Sequence, residues 1–139
     1  MFEITLRPYE TSDFDRVRQL WSSAGLHPSQ SDTSDGLARK QERDPELFIL
    51  ATTETMIVGS VMGSYDGRRG WINKLAVRPE FLGMNIGVRL LAEVELRLKA
   101  LGCQKVNLLI EHENAKVVSY YERLGYATDP LIFMEKWLD

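Results

Sequence analysis

The sequence predicts one α/β (α+β) domain built on a mixed, mostly antiparallel sheet. Three observations carry this expectation. Residues 47–53, 56–65 and 71–77 are β-favouring runs joined by short polar turns, which makes three consecutive antiparallel strands. From residue 86 onward, Leu90, Leu91, Val94, Leu98 and Leu101 recur at the spacing of one helix face. A further strand follows at residues 106–110, and a strand–helix–strand unit of this size implies a right-handed crossover with its two strands parallel.

The remaining elements follow in order. Residues 2–6 alternate apolar and polar side chains, a half-buried strand that Pro8 should end. Thr11 and Ser12 are N-cap candidates for an amphipathic helix carrying Phe14, Val17, Leu20 and Trp21, with Ser12 and Asp15 placed for a capping box. Gly25 ends it, and residues 26–36, rich in Ser, Asp and Pro, read as a loop. A short helix over 34–43 is stopped at Asp44-Pro45. Gly102 terminates the long helix. Asn114 reads as the N-cap of a helix through Val117, Val118, Tyr121 and Leu124, with Gly125 at its C-terminal end. Residues 131–138 should close the chain as a last strand.

Composition bounds the class of function. A chain of 139 residues, 44% hydrophobic and 27% charged, has room for a real core, and a single domain over 1–139 is expected. A net charge of −3 argues against the basic face of a general nucleic-acid binder and mildly favours cationic substrates. The lone Cys103 excludes an internal disulfide and a multi-cysteine zinc site, and reads as a buried thiol; no metal is expected. The N-terminal residues carry acids early and lack the apolar core of a signal peptide. No apolar run approaches membrane-spanning length, so no membrane partner and a cytoplasmic setting are expected.

The most informative stretch is residues 71–101. A strand feeds a turn over 80–85, and the turn opens directly into the long helix. A helix start presents unpaired N–H groups and the positive end of the macrodipole, a ready seat for an anion. Gly83 and Gly87 lack Cβ atoms, so a phosphate can approach the backbone closely. Taken alone, the same pattern also describes an ordinary strand–helix connection. Neither G-x-x-x-x-G-K-[ST] nor G-x-G-x-x-G occurs, which sets aside the P-loop and the usual dinucleotide fingerprint.

Three blocks together resemble the GCN5-related N-acetyltransferase (GNAT) superfamily. The central LAVRPEFLGMNIGVRLL is similar to its acyl-CoA signature, Q/R-x-x-G-x-G/A after a strand and a proline. Asn114, Tyr121 and the run Glu122-Arg123-Leu124-Gly125-Tyr126 are similar to its N-(x)6-Y-E-[KR]-L-G-[FY] block. The opening ITLRPYETSDFDRVRQLW resembles its Ile-x-x-Arg, Asp, Leu-Trp start. Two departures stand out: Leu82 occupies the usual Arg or Gln position, and Asn85 the middle glycine. Asn tolerates left-handed backbone and caps helices well, so the turn is expected to keep its shape without side-chain support at Leu82.

The resemblance implies a fold with helices on both faces of the sheet and a central parallel strand pair splayed around acyl-CoA. It implies acetyl transfer from acetyl-CoA to a primary amine on a small molecule or peptide, with a homodimer as an option. Leu75, Ala76 and Val77 would hold the pantetheine. Leu82, Gly83, Met84, Asn85, Ile86, Gly87 and Val88 would hold the pyrophosphate, with Asn114 and Tyr121 as further cofactor contacts. Tyr121 matches the family's general acid toward the CoA sulfur; as a residue type alone it reads equally as a core aromatic with a satisfied hydroxyl. Its neighbour Tyr120, about 100° away on the helix, should face elsewhere. The carboxylate often found on the central strand falls near Asn73, and an amide accepts no proton at neutral pH. For the general base, Glu111, His112 and Glu113 cluster after the next strand, and Glu111 is a catalytic candidate. His112 has the best intrinsic pKa, but as a lone loop histidine it reads equally as surface. A water chain or a substrate amine of low pKa would make a base unnecessary. A GNAT-fold protein that binds a ligand or partner without efficient turnover is the alternative, suggested by Asn73, Leu82 and Asn85.

Overall fold

The structure, a computed structural model, describes residues 3–138, the side chains of His112 and Glu113 excepted. It divides into two compact units, Met1–Leu108 and Leu109–Asp139.

The first unit holds a five-stranded sheet in the order β1 (Thr5–Pro8), β2 (Phe48–Thr52), β3 (Ile57–Tyr65), β4 (Gly70–Val77) and β5 (Val106–Leu108). Neighbours are antiparallel except β4 and β5, which run parallel. Helix α3 (Ile86–Ala100) connects that parallel pair. The hairpin between β2 and β3 closes with Thr53 N–H on Met56 O at 2.9 Å, and the β3–β4 turn is held by the Asp66 carboxylate, which accepts from the Arg68 and Arg69 amides.

Helices α1 (Phe14–Ser23) and α2 (Ser34–Arg43) cover one face of the sheet. Val17, Leu20, Trp21 and Leu37 pack with Tyr9, Phe48, Leu50, Met62 and Ala76 in one buried cluster. Helix α3 covers the other face, and it sits very close. A Cβ on Gly63 would lie 2.6 Å from Val94 Cγ2, so glycine is what permits this approach of helix to strand. Both faces of β2 and most of β3 are therefore buried, so neither strand shows the apolar–polar alternation of a half-buried strand. Among the described residues, no helix is long and apolar enough to cross a membrane.

Several local expectations are corrected. The first strand is Thr5–Pro8, and Pro8 belongs to it, opposite Ile49. β1 is an edge strand, where a missing N–H is tolerated; Phe2 lies outside the described residues. The cap at the start of the first helical segment is made by Asp13, whose carboxylate accepts the Glu10 N–H at 2.9 Å, rather than by Ser12 and Asp15. A 3₁₀ turn, Thr11–Asp13, precedes α1. Helix α2 begins and ends where expected, with Thr33 Oγ1 accepting the Gly36 N–H.

The second unit contains a 3₁₀ segment, His112–Val117, followed by α4 (Val118–Arg123). The N-cap position of α4 is held by Val117 rather than by the expected Asn114. Asn114 lies at a kink within 112–117, with non-helical φ −110° and ψ 20° and its N–H closing a turn on Glu111 O at 2.8 Å. Gly125, at φ +97°, follows α4 as expected. Residues 131–138 form no strand. Their alternating apolar side chains satisfy strand propensity, but a strand also needs a ladder partner, and none is present among the described residues.

Candidate active site

The site begins where β4 outruns its parallel neighbour. The β4–β5 ladder pairs Gly70 with Val106, Trp71 with Asn107 and Ile72 with Leu108, and ends there. β4 continues to Val77: Ala76 and Val77 keep their pairing to β3 on one side, through Ala76–Ser60 and Val77–Gly59, and with Leu75 they lie beyond the β4–β5 ladder on the other. A free strand edge of this kind offers N–H and C=O groups to an extended amide chain.

The same stretch carries a bulge. Asn73 pairs with Met62 and Ala76 with Ser60, so Lys74 and Leu75 together face Val61. Lys74 adopts φ +53°, unusual for a side chain of its size. Its carbonyl accepts the Ser60 hydroxyl at 2.7 Å, and Ser60 Oγ in turn accepts Trp21 Nε1–H at 2.9 Å. The Lys74 ammonium sits 2.9 Å from Asp32 Oδ2 and 4.9 Å from the Trp21 ring centroid. No local sequence pattern marks this group: Lys74 follows the polar Asn73 in β4, and its partners Trp21, Asp32 and Ser60 lie in other parts of the chain.

From β4 the chain enters a 3₁₀ turn, Pro79–Phe81, with Phe81 buried beneath it. Leu82 follows in extended conformation, 66% exposed. Gly83 takes φ +86° with no atom within 4 Å of where a Cβ would stand, so the space in front of it is open. Asn85 takes the left-handed conformation, φ +60° and ψ +22°, so it does supply the backbone shape that a glycine usually supplies. Arg89 N–H bonds Asn85 O at 3.0 Å, which leaves the amides of Ile86, Gly87 and Val88 as the first-turn donors of α3. No acidic residue occupies that first turn. Ile86 is buried and anchors the helix start, while Met84 is exposed. The helix start therefore presents donors and a positive dipole end with no carboxylate in its own first turn, which fits a pyrophosphate.

Glu111, Asn114 and Tyr121 belong to the second unit. Glu111 is exposed and precedes the 3₁₀ segment; Asn114 is exposed within it. Tyr121 lies on α4 in edge-to-face contact with both Tyr120 and Tyr126, at centroid distances of 5.3 and 5.7 Å. Burial, reinforced by Tyr120, raises its phenol above the usual tyrosine range. A phenol so placed stays protonated at neutral pH, the state a proton donor requires.

A mixed sheet whose parallel strand pair feeds through a left-handed turn into a long helix places this chain among α/β domains with an anion seat at a helix start. Comparison with known proteins gives the family. The model of the acetyltransferase (GNAT) family matches residues 12–126, and the chain belongs to that family. An acetyltransferase of Yersinia enterocolitica is 39% identical over 133 residues, covering 96% of this chain and 94% of its own length. Among solved structures, Ard1 from Thermoplasma volcanium aligns with a TM-score of 0.79 at 21% identity, over 89% of this chain and 82% of that one. The PaiA N-acetyltransferase from Thermoplasma acidophilum, solved in complex with coenzyme A, aligns at 0.78 and 17% identity over 94% and 93%. These two share the fold.

Proposed function

We propose that the protein is an acetyl-CoA-dependent N-acetyltransferase acting on a primary amine of a small molecule or peptide. The observation that carries this is the β4–α3 turn. Left-handed Asn85, open space at Gly83 and the amides of Ile86, Gly87 and Val88 make a backbone seat for a pyrophosphate, with no acid in the first turn. The name of the Yersinia relative and the coenzyme A complex of the Thermoplasma neighbour support the same reading.

In this reading residues 82–88 bind the pyrophosphate and the edge at Leu75, Ala76 and Val77 hydrogen-bonds the pantetheine. The cosubstrate brings an acetyl group already activated as a thioester. Tyr121 holds the proton destined for the departing sulfur, and Asn114 contributes to cofactor binding. Glu111 is the catalytic carboxylate candidate, and the proton of the acceptor ammonium leaves to it, to His112 or to water. A thermal-shift titration tests the cofactor assignment: acetyl-CoA at 100 times its dissociation constant should add about 2.7 kcal/mol of stability. No shift at millimolar acetyl-CoA would sink it. Thiol release over an amine panel then tests turnover, and binding without release would leave a binding protein.

A further inference from the structure

Beside the bulge of β4, the first unit carries an open cleft of about 340 Å³ lined by Arg18, Trp21, Ser22 and residues 25–28. Its volume falls in the range of small-molecule sites. No carboxylate lines it, while Arg18 and His27 both do. Arg18 is held in place by two contacts, its Nη1–H on Asp32 O at 3.0 Å and its guanidinium over the Phe14 ring at 5.7 Å. Among the described residues it pairs with no carboxylate, which leaves most of its five N–H donors unspent.

The carboxylate behind the cleft is already neutralised. Asp32 is 6% exposed, accepts the Ser29 N–H at 2.8 Å and is paired with the Lys74 ammonium at 2.9 Å. Trp21 joins the two features: it lines the cleft, and its ring lies beneath that same ammonium. With Lys74 cancelling Asp32, Arg18 is left over, and the local charge is positive although the chain as a whole is negative. Long-range net charge does not decide recognition inside a cleft; the nearest unpaired group does.

We infer that this cleft binds an acidic group, so that the acceptor is an amine that also carries a carboxylate or phosphate. Arg18 is its receptor, and the Lys74–Asp32 pair sets the sign of the site. This rests on the N-acetyltransferase reading for its link to catalysis, but the cleft's charge preference is measurable on the free protein. It also reverses the mild preference for cationic substrates that the net charge suggests.

The test is calorimetry with four small amines of matched length, β-alanine, phosphoethanolamine, β-alaninamide and 1,3-diaminopropane, on the full chain with and without CoA. The two acids should bind on the order of tenfold more tightly than the amide and the diamine, the worth of one charge-assisted hydrogen bond. Whichever acid binds more tightly identifies the anionic group. Arg18→Gln should erase the preference and leave CoA affinity unchanged. Lys74→Met uncovers Asp32 and should turn the preference toward the diamine, whereas Lys74→Arg keeps the charge and should behave as wild type. Absence of acid binding at millimolar concentration, a wild-type preference for the diamine, or an Arg18→Gln variant that discriminates as before would each overturn the inference. Failure of CoA alone to bind, with the acid preference intact, would count against the acetyltransferase reading instead.

Discussion

Asp13 shows how a single residue ties the fold's opening together. Its side chain is 1% exposed and bonds Arg7 through both oxygens, at 2.8 and 2.9 Å, Arg16 at 3.0 Å and the Glu10 amide. Burial alone would raise its carboxyl, but the hydrogen bonds from Arg7 and Glu10 and the charges of Arg7 and Arg16 outweigh it, and the group titrates below the usual aspartate range. Asp13→Asn should cost about 1.5–3 kcal/mol, the worth of hydrogen bonds to a charged group. The sign with pH follows from linkage. The stability this carboxylate contributes is complete above about pH 4, the ordinary aspartate value, and is lost as pH falls through its lowered folded value. Denaturation midpoints between neutral and acid pH should show that limb in wild type and a weaker one in the variant. A second residue bears on chemistry. Tyr121→Phe keeps the ring and loses only the hydroxyl, so turnover should fall about 10²–10⁴-fold while CoA affinity stays within error. Tyr120→Phe is the control and should turn over as wild type; an unimpaired Tyr121→Phe would show that the thiolate leaves unaided.

At the scale of elements, the β4–α3 turn was legible because its chemistry is local. Glycine, proline and the onset of a 3.6-residue periodicity mark it without knowledge of the rest of the chain. Leu82, the departure from the family pattern, is 66% exposed, so it is not a packing residue beneath the turn. Leu82→Arg should therefore tighten CoA binding without disturbing the core. An exposed arginine that must first be ordered adds only about 0.5–1 kcal/mol, a several-fold gain in affinity. That gain should shrink with added salt, since exposed charges are screened over about 8 Å at physiological ionic strength. Calorimetry at low and high salt reads both effects, and weaker binding at either would mean that the pyrophosphate lies elsewhere. The bulge of β4, by contrast, gave no local sign. Lys74 has no glycine-like chemistry, and its φ of +53° is held by contacts to Trp21, Asp32 and Ser60 from elsewhere in the chain.

At the scale of the whole molecule, burial is concentrated in the first unit. Every residue classed as buried lies there, and none of the described residues from 109 to 138 is. The C-terminal segment exposes Leu131, Ile132 and Met134 at 79, 90 and 85%. Local stability tracks buried contacts and protected backbone. Hydrogen exchange should therefore find the slowest amides in β2 and β3 and the fastest in residues 109–138, with acetyl-CoA adding protection over residues 82–88. Protection in 109–138 equal to that of β3 would contradict this distribution of stability.

Sequence alone was sufficient for the order of the helices and sheet strands up to β5, the parallel relation of β4 and β5, and the left-handed role of Asn85. These depend on periodicity, turn chemistry and backbone preference, which neighbouring residues settle among themselves. The alternation at 131–138 misled for the same reason: propensity is local, but a strand exists only with a partner. Likewise Pro8 reads locally as a stop, yet its place at the sheet edge makes it the end of β1. The cation seat at Lys74 and the charge of the Arg18 cleft were out of reach of any local pattern. Trp21 meets Ser60 across 39 residues, and Lys74 meets Asp32 from a different element, so their chemistry exists only once sheet register and helix packing bring them together.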